Sequence, residues 1–290
     1  MKSMTIREFF KQFPSDDICL DHVMEVRYGK KHVCKNCGKE SKFHKLSNRK
    51  AYSCQSCGSH VYPCSGTLFE NSRTPLQLWF YAIYLFSTSR HGVPAKELER
   101  QLGITYKAAW RMAHEIRKHM GSVDGDEPLS GEIEIDETYI GGKKPGKRGR
   151  GADGKTVLFG MLQRNGDIMT KVVSDVKRVT LQPIIKDNVE EGSTVHTDEL
   201  LTYSNLSEHG YDHNTVNHGQ GEYARGNVHV NGLEGYWSNF KKSVKGTHIH
   251  ISKKHLSKYS SEFEYRYNSR SNPSQMFPEL ISTYPKKPKK

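Results

Sequence analysis

Long hydrophobic runs are missing from this chain of 290 residues. The longest apolar stretch, LWFYAIYLF at 78–86, falls far short of the roughly 20 residues that span a bilayer. The N-terminal MKSMTIREFFKQF carries charges throughout and lacks the apolar centre of a secretory signal. The expectation is a cytoplasmic chain with no membrane partner. Acidic charge is also short: 32 Asp and Glu face 44 Lys and Arg, a net charge of +12. That excess sets no fold. It favours a polyanionic partner, because Lys and Arg at phosphates release counterions. Cysteine is scarce, with six in all. In a reducing compartment this argues against a disulfide framework and for metal ligation or inert thiols. Hydrophobic residues make up only 34%, yet the length accommodates two or three domains.

Four of the six cysteines are ordered by spacing. Cys34-x-x-Cys37 and Cys54-x-x-Cys57 lie sixteen residues apart, each ending in a Gly turn, CKNCG and CQSCG. This is the four-thiolate zinc spacing. A redox CxxC sits once in a βαβ pattern, which is absent here. The short aromatic strands between the pairs complete a zinc ribbon holding structural Zn²⁺. Cys64 reads as a spare thiol, and Cys19 as a small buried hydrophobe. His32, His44 and His60 flank a ligand shell that the cysteines already fill.

Helices surround the ribbon. TIREFFKQF has Ile6, Phe9, Phe10 and Phe13 on an apolar side, and Pro14 stops it. Thr74-Pro75 opens an apolar helix over 75–90 that must be buried. Residues 93–120 read as two amphipathic helices about Gly103, a helix-turn-helix. Its second helix is expected to turn Tyr106, Lys107, Arg111, His114, Arg117 and Lys118 outward, toward a groove or phosphates. The polar stretch SVDGDEPLSG at 122–131 marks the main domain boundary.

Beyond that boundary the pattern becomes strand, strand, strand, helix, strand, helix, strand, helix. GEIEIDETYIGG alternates as a strand that Asp136 is expected to end. A Gly-rich loop follows with Lys143, Lys144, Lys147, Arg148 and Arg150, a candidate DNA contact. Asn165-Gly166 signals a hairpin. STVHTDELL repeats the strand-then-carboxylate pattern at Asp198. With the first and fourth strands adjacent and parallel, Asp136 and Asp198 would stand side by side. Oxygen ligands so placed suit Mg²⁺ or Mn²⁺, and paired divalent ions promote in-line attack on phosphodiesters. In HVNGLEGYWSNFKKSVKG, a helix puts Asn231, Glu234, Lys241, Lys242 and Lys245 broadly on one side. Leu233, Trp237, Phe240 and Val244 fall on the other.

The ribbon CKNCG…CQSCG, the segments SGTLFENSRTPL and LERQLGITYKAAWRMAHEIR, the strand EIEIDETYIGGK, HTDEL, and HVNGLEGYWSNFKKSVKGTHIHISKKHLSKYSSEFEYRYNSR occur in one order. In that order the chain resembles insertion-sequence transposases of the IS1595 (ISXO2-like) group along nearly its whole length. The resemblance implies an α/β multidomain protein. An RNase H-like mixed sheet with flanking helices follows a zinc ribbon and a helix-turn-helix. The implied domains are a helical segment at 1–28, the ribbon at 29–66, the helix-turn-helix DNA-binding domain at 67–121, the catalytic domain at 130–275 and a basic tail at 276–290. It implies a DDE-type site in which Asp136 and Asp198 carry over directly. The third position aligns with Asn231, and Glu234 one turn on is the other candidate. Lys241 or Lys242 would hold phosphate. The implied reaction is metal-dependent cleavage at the terminal inverted repeats, then attack of the freed 3′-hydroxyl on target DNA. No Ser or Tyr nucleophile is needed. A homodimer or higher oligomer on DNA is expected. Asn in place of an acid keeps a second class open, a zinc-ribbon DNA-binding regulator with an inactive RNase H-like domain.

Overall fold

A computed structural model describes residues 4–29, 31–125, 127–141, 155–217, 219, 222 and 224–284. The chain divides into two units, one of residues 1–123 with 271–290, the other of residues 124–270. None of the described helices is long and apolar enough to cross a membrane.

The first unit opens with α1 (Ile6–Gln12) and α2 (Asp16–Tyr28). Thr5 and Glu8 form a reciprocal capping box at α1, and Ser15 caps α2. Five short strands follow: β1 (His32–Val33), β2 (Glu40–Ser41), β3 (Phe43–Lys45), β4 (Tyr52–Cys54) and β5 (His60–Val61). They pair antiparallel as β1-β2 and β3-β4-β5. The expected apolar helix is α3 (Leu76–Thr88), which buries Leu76, Trp79, Phe80, Ile83 and Phe86. Each such side chain removed from water contributes about 1.5–3 kcal/mol. α4 (Ala95–Leu102) ends at Gly103, whose left-handed backbone (φ 62) suits glycine. α5 (Tyr106–Asp124) starts where Thr105 Oγ1 accepts from the Ala108 amide at 3.3 Å.

Residues 276–282, placed by sequence in a basic tail, instead form α9 (Met276–Ser282) within this unit. Met276, Phe277, Leu280 and Ile281 are buried. Phe277 meets Phe9 and Phe13 edge-on, at centroid distances of 5.7 and 6.0 Å. His22 and His119 reach the carbonyls of Ile281 and Leu280 at 3.0 and 2.8 Å. The apolar residues of MFPELI outweigh the charge that follows them.

The second unit is built on a five-stranded sheet ordered β10-β9-β6-β7-β8. Its strands are β6 (Glu132–Ile140), β7 (Thr156–Gln163), β8 (Ile168–Val173), β9 (Thr194–Thr197) and β10 (Asp212–Thr215). β6, β7 and β8 run antiparallel in succession, while β9 pairs parallel to both β6 and β10. The β7–β8 hairpin turns at Asn165, which has φ 60, as the Asn-Gly pair requires. Alternation along the strands separates two cores. Ile133, Ile135, Phe159 and Met161 pack with Leu181 and Ile185 of α6 (Arg178–Asn188) on one face. On the other, Leu158 and Leu162 pack with Leu233, Trp237 and Phe240 of α7 (Asn231–Ser243) and Phe263 of α8 (Leu256–Asn268). Glu134 and Asp136 alternate with the two isoleucines and so face α7.

Candidate active site and metal centre

The thiolates of Cys34, Cys37, Cys54 and Cys57 all lie within 4.8 Å of one another. Cys34 Sγ and Cys57 Sγ are 3.7 Å apart. A tetrahedral zinc with Zn–S bonds of about 2.3 Å needs sulfurs roughly 3.8 Å apart, so this donor set fits Zn²⁺. The knuckle glycines explain how. Gly38 and Gly58 have φ 69 and 73, and their amides donate to the Cys34 and Cys54 carbonyls at 2.8 and 2.9 Å. A side chain would strain both turns. Cys64 stands outside the cluster, and burial pushes its thiol up to about 11. His32 is occupied by aromatic contacts, at 4.9 Å from Tyr28 and 4.6 Å from Phe43 between ring centroids.

In the second unit the parallel register pairs Ile133 with Val195 and Glu134 with His196. Two residues further along each chain come Asp136 and Asp198, which therefore meet where β9 ends; Asp136 does not end its own strand, because pairing with β7 carries β6 on to Ile140. Asp198 is 5% exposed, and its Oδ1 accepts from the Leu200 amide at 3.0 Å. Asp136 Oδ2 accepts from the Trp237 indole Nε1 at 3.1 Å. Burial pushes the Asp136 carboxyl up to about 7, and the charges of Glu137, Asp198 and Glu234 add to it. Glu137 lies on the opposite face, where it accepts from the buried Tyr203 hydroxyl at 2.9 Å. Partial burial lowers the Lys241 pKa, opposed by the nearby charge of Asp136. Glu234 precedes Trp237 by three residues and Lys241 follows it by four. All three thus share the stretch of helix that abuts Asp136. Acids crowded in this way, with a lysine at the edge, suit a hard divalent cation.

Three residues that build this site are given no role by the sequence alone. Gly160 sits opposite Asp136 on β7. A Cβ there would lie 2.6 Å from the Trp237 ring, so its absence lets the indole lie against the strand and reach Asp136. Glu134, 1% exposed, accepts from the Leu233 amide at 2.9 Å and so fastens the first turn of α7 to β6. Arg164 pairs with it, Nε to Oε1 at 3.0 Å, and also donates to the His229 carbonyl at 2.9 Å. The one signal for any of them is the i, i+2 spacing of Glu134 and Asp136, which puts both on the α7 face.

The remaining sequence candidates fall as follows. Asn231 is the first residue of α7 and exposed, two turns from Trp237; Lys242 is exposed in the last turn. Lys107, Arg111 and Lys118 are exposed on α5. Arg117 and His114 are not on that face: they are 1% and 2% exposed. Arg117 donates to the Val93 carbonyl at 2.9 Å and lies over the Phe86 ring at 5.2 Å. Residue 117 follows Ala113 by four and Ile116 by one, so the buried stripe of α5 takes it in. Trp110, 37% exposed, joins Tyr106 and Lys107 outside instead. Lys143, Lys144, Lys147, Arg148 and Arg150 lie outside the described residues.

The Asp136 environment has a measurable consequence in the metal-free protein. A carboxyl raised from 3.8 to about 7 binds its proton more tightly when folded. Between those values the unfolded chain loses the proton first. Folding stability therefore falls as pH rises through this window, by roughly 4 kcal/mol at most. Asp136→Asn, which keeps an acceptor for Trp237, is expected to flatten the fall in chemical denaturation. Mg²⁺ should raise Tm more at about pH 8 than at about pH 5. An unchanged slope in Asp136→Asn would mean that this buried carboxyl is not the source of the pH dependence.

Comparison with known proteins finds a family match within each of the two units. The transposase zinc-ribbon domain matches residues 14–60, and the ISXO2-like transposase domain matches residues 128–268. A relative from Halobacterium salinarum, described as an uncharacterized protein in transposable element ISH50, is 28% identical over 276 residues, covering 88% of this chain and 92% of its own length. An uncharacterized transposase-like protein from Haemophilus influenzae is 31% identical over 109 residues, covering 38% of this chain and 87% of its own. No solved structure gives a significant match. With both domains matched in order along one polypeptide, the chain belongs to the IS1595 (ISXO2-like) family of insertion-sequence transposases.

Proposed function

We propose that this protein binds the terminal inverted repeats of an insertion sequence and catalyses divalent-metal-dependent DNA cleavage and strand transfer. The observation that carries the reading is the convergence of Asp136, within β6, and Asp198, just past the end of the adjacent parallel β9, with the charge of Glu234 reaching Asp136. A central first strand, flanked by its own antiparallel meander and a parallel pair, supports an RNase H-like core. Leaving two acids this close is costly unless a cation joins them, and a decayed regulator gains nothing from that arrangement.

Asp136, Asp198 and Glu234 would hold Mg²⁺ or Mn²⁺. Bound there, the ions supply charge stabilisation to the attacking and leaving oxygens of the phosphodiester. Trp237 fixes one carboxylate oxygen of Asp136 and leaves the other for the metal. Lys241 holds a phosphate oxygen beside the acids, with Lys242 further along the backbone. Glu234 is favoured over Asn231 as third ligand because it brings a charge and lies within one turn of Trp237. The product of a strand-transfer assay, using an end duplex with a free 3′-hydroxyl and Mg²⁺ or Mn²⁺, tests the reading. Tight end binding without any joined product would favour the inactive regulator.

End recognition belongs in this reading to the ribbon and to α4–α5 as a helix-turn-helix. The outward face of α5, Tyr106, Lys107, Trp110 and Arg111, combines aromatic rings with cations. Lys107→Ala and Arg111→Ala are each expected to lower end binding and to reduce the slope of log K against log salt by about 1. Arg117→Ala should instead destabilise the fold, because it empties a buried, hydrogen-bonded site. Anisotropy titrations at several salt concentrations, with melting curves, separate the two effects. Joining two ends calls for a homodimer or higher oligomer on DNA.

A further inference from the structure

Between Glu234 and Glu262 the sequence has no acidic residue, but it has six lysines and three histidines. Within this stretch α7 passes through a wider turn at Val244–His248 and reaches Ile249 with φ 63 and ψ −53. The His250 amide donates to the His248 carbonyl at 2.6 Å. That closes a γ-turn of the rare, strained hand. A β-branched side chain is disfavoured there, whereas glycine would sit at ease. Ile249 is nonetheless 83% exposed, so no packing within its own chain explains it.

The flanks show why the side chain stays outside. The His248 ring meets Tyr259 edge-on, with centroids at 4.9 Å. Ile251 is buried in the core shared by α7 and α8. The chain is pinned on both sides, and the isoleucine projects between them. Lys245, Lys253 and Lys254 around it are all exposed. An apolar point within a stretch of chain that carries lysines and no acid is complementary to stacked bases between two phosphate backbones.

We propose that Ile249, held outward at the strained tip of this lysine-rich turn, is a wedge that inserts between base pairs of duplex DNA bound at the catalytic unit. This rests on DNA being the substrate. The lysines grip phosphate on either side, and the isoleucine unstacks one base step. The resulting kink offers a phosphodiester to Asp136, Asp198 and Glu234. The unstacking cost is smallest at flexible pyrimidine–purine steps, so the wedge also biases where the duplex opens.

The test uses the full chain with Mg²⁺ omitted and duplexes of the element's own end, each with 2-aminopurine at one successive position. Wild type is expected to brighten the probe at one step. Ile249→Ala and Ile249→Gly are expected to lose that brightening while anisotropy shows the duplex still bound through the lysines. Ile249→Gly should melt no lower than wild type, since glycine relieves the turn, so loss of signal cannot be assigned to misfolding. If wild type does not bind duplex, the DNA reading itself fails. If it binds but no position brightens, or if Ile249→Gly brightens in full, the wedge is wrong. Flotation with anionic phosphatidylserine vesicles that depends on Ile249, without brightening, would assign the tip to a membrane surface and overturn it as well.

Discussion

Asp136→Ala and Asp198→Ala are each expected to abolish DNA cleavage while leaving end binding intact. Asp198 is buried and Asp136 half-buried just beyond the paired stretch of β6 and β9, and neither lies on the exposed face of α5. Loss of an outer-shell partner of a metal site costs about 10–100-fold, so loss of a direct ligand should cost more. Folding is not the reason for the defect. The Asp136 carboxylate is penalised by burial and by its acidic neighbours, so Asp136→Asn should melt at or above the wild-type temperature. Glu234→Gln is expected to join the inactive set, because Glu234 is the acid of α7 whose charge reaches Asp136. Asn231→Ala should be mild, within roughly tenfold. Cleavage rate and melting temperature, measured on Glu234→Gln and Asn231→Ala, decide between the two candidates. A crippled Asn231→Ala beside an active Glu234→Gln would reverse the assignment of the third ligand. An active Asp136→Ala would overturn the site.

Removing zinc is expected to unfold residues 30–65. Between β1 and β5 the buried hydrophobic residues are Cys34, Ala51, Tyr52 and Cys54, two of them ligands. So small a core does not offset the chain entropy, and the metal has to supply the difference. Structural zinc contributes about 10–16 kcal/mol in small zinc modules near neutral pH. The ribbon is also fastened to α2: Lys45 Nζ meets Asp21 Oδ2 at 2.8 Å, and the Tyr52 hydroxyl donates to the same carboxylate. Those contacts hold an ordered ribbon in place but do not order it. Chelation, or Cys54→Ser, should therefore expose 30–65 to proteolysis and remove end binding, while residues 124–270 keep their protection from hydrogen exchange. Elemental analysis should find one zinc per chain, with Cys64 free to react with a thiol reagent only on unfolding. A protected ribbon after chelation would defeat the structural role.

The zinc ligands, the buried helix α3, the Asn-Gly hairpin and the apolar face of α7 are all legible in the amino-acid sequence. Each is a short-range pattern. CxxC spacing with a following glycine dictates a knuckle, apolar residues every three or four positions dictate one helix face, and Asn165-Gly166 dictates one turn. The strand-then-carboxylate pattern likewise marks Asp136 and Asp198 as a possible pair. Where a charge interrupts a stripe, the same kind of pattern misleads. Arg117 reads as a surface cation because it is charged, yet the helical period puts it inside, with the Val93 carbonyl as its partner. Lysines at the very end of the chain likewise hide the short apolar helix of 276–282.

Tertiary structure alone decided which acids of EIEIDE do what. Glu134 and Asp136 share a face and differ by one pleat. One meets the Leu233 amide and Arg164 and becomes a fastening, while the other meets Trp237, Asp198 and the field of Glu234. The bare backbone of Gly160 settles how near the indole lies, and so which residues of α7 stand over Asp136. Local sequence determined the elements and their faces, because backbone periodicity is set within a few residues. Strand register and the seating of α7 joined segments that are far apart in the chain. They depend on packing between faces, which no local pattern encodes.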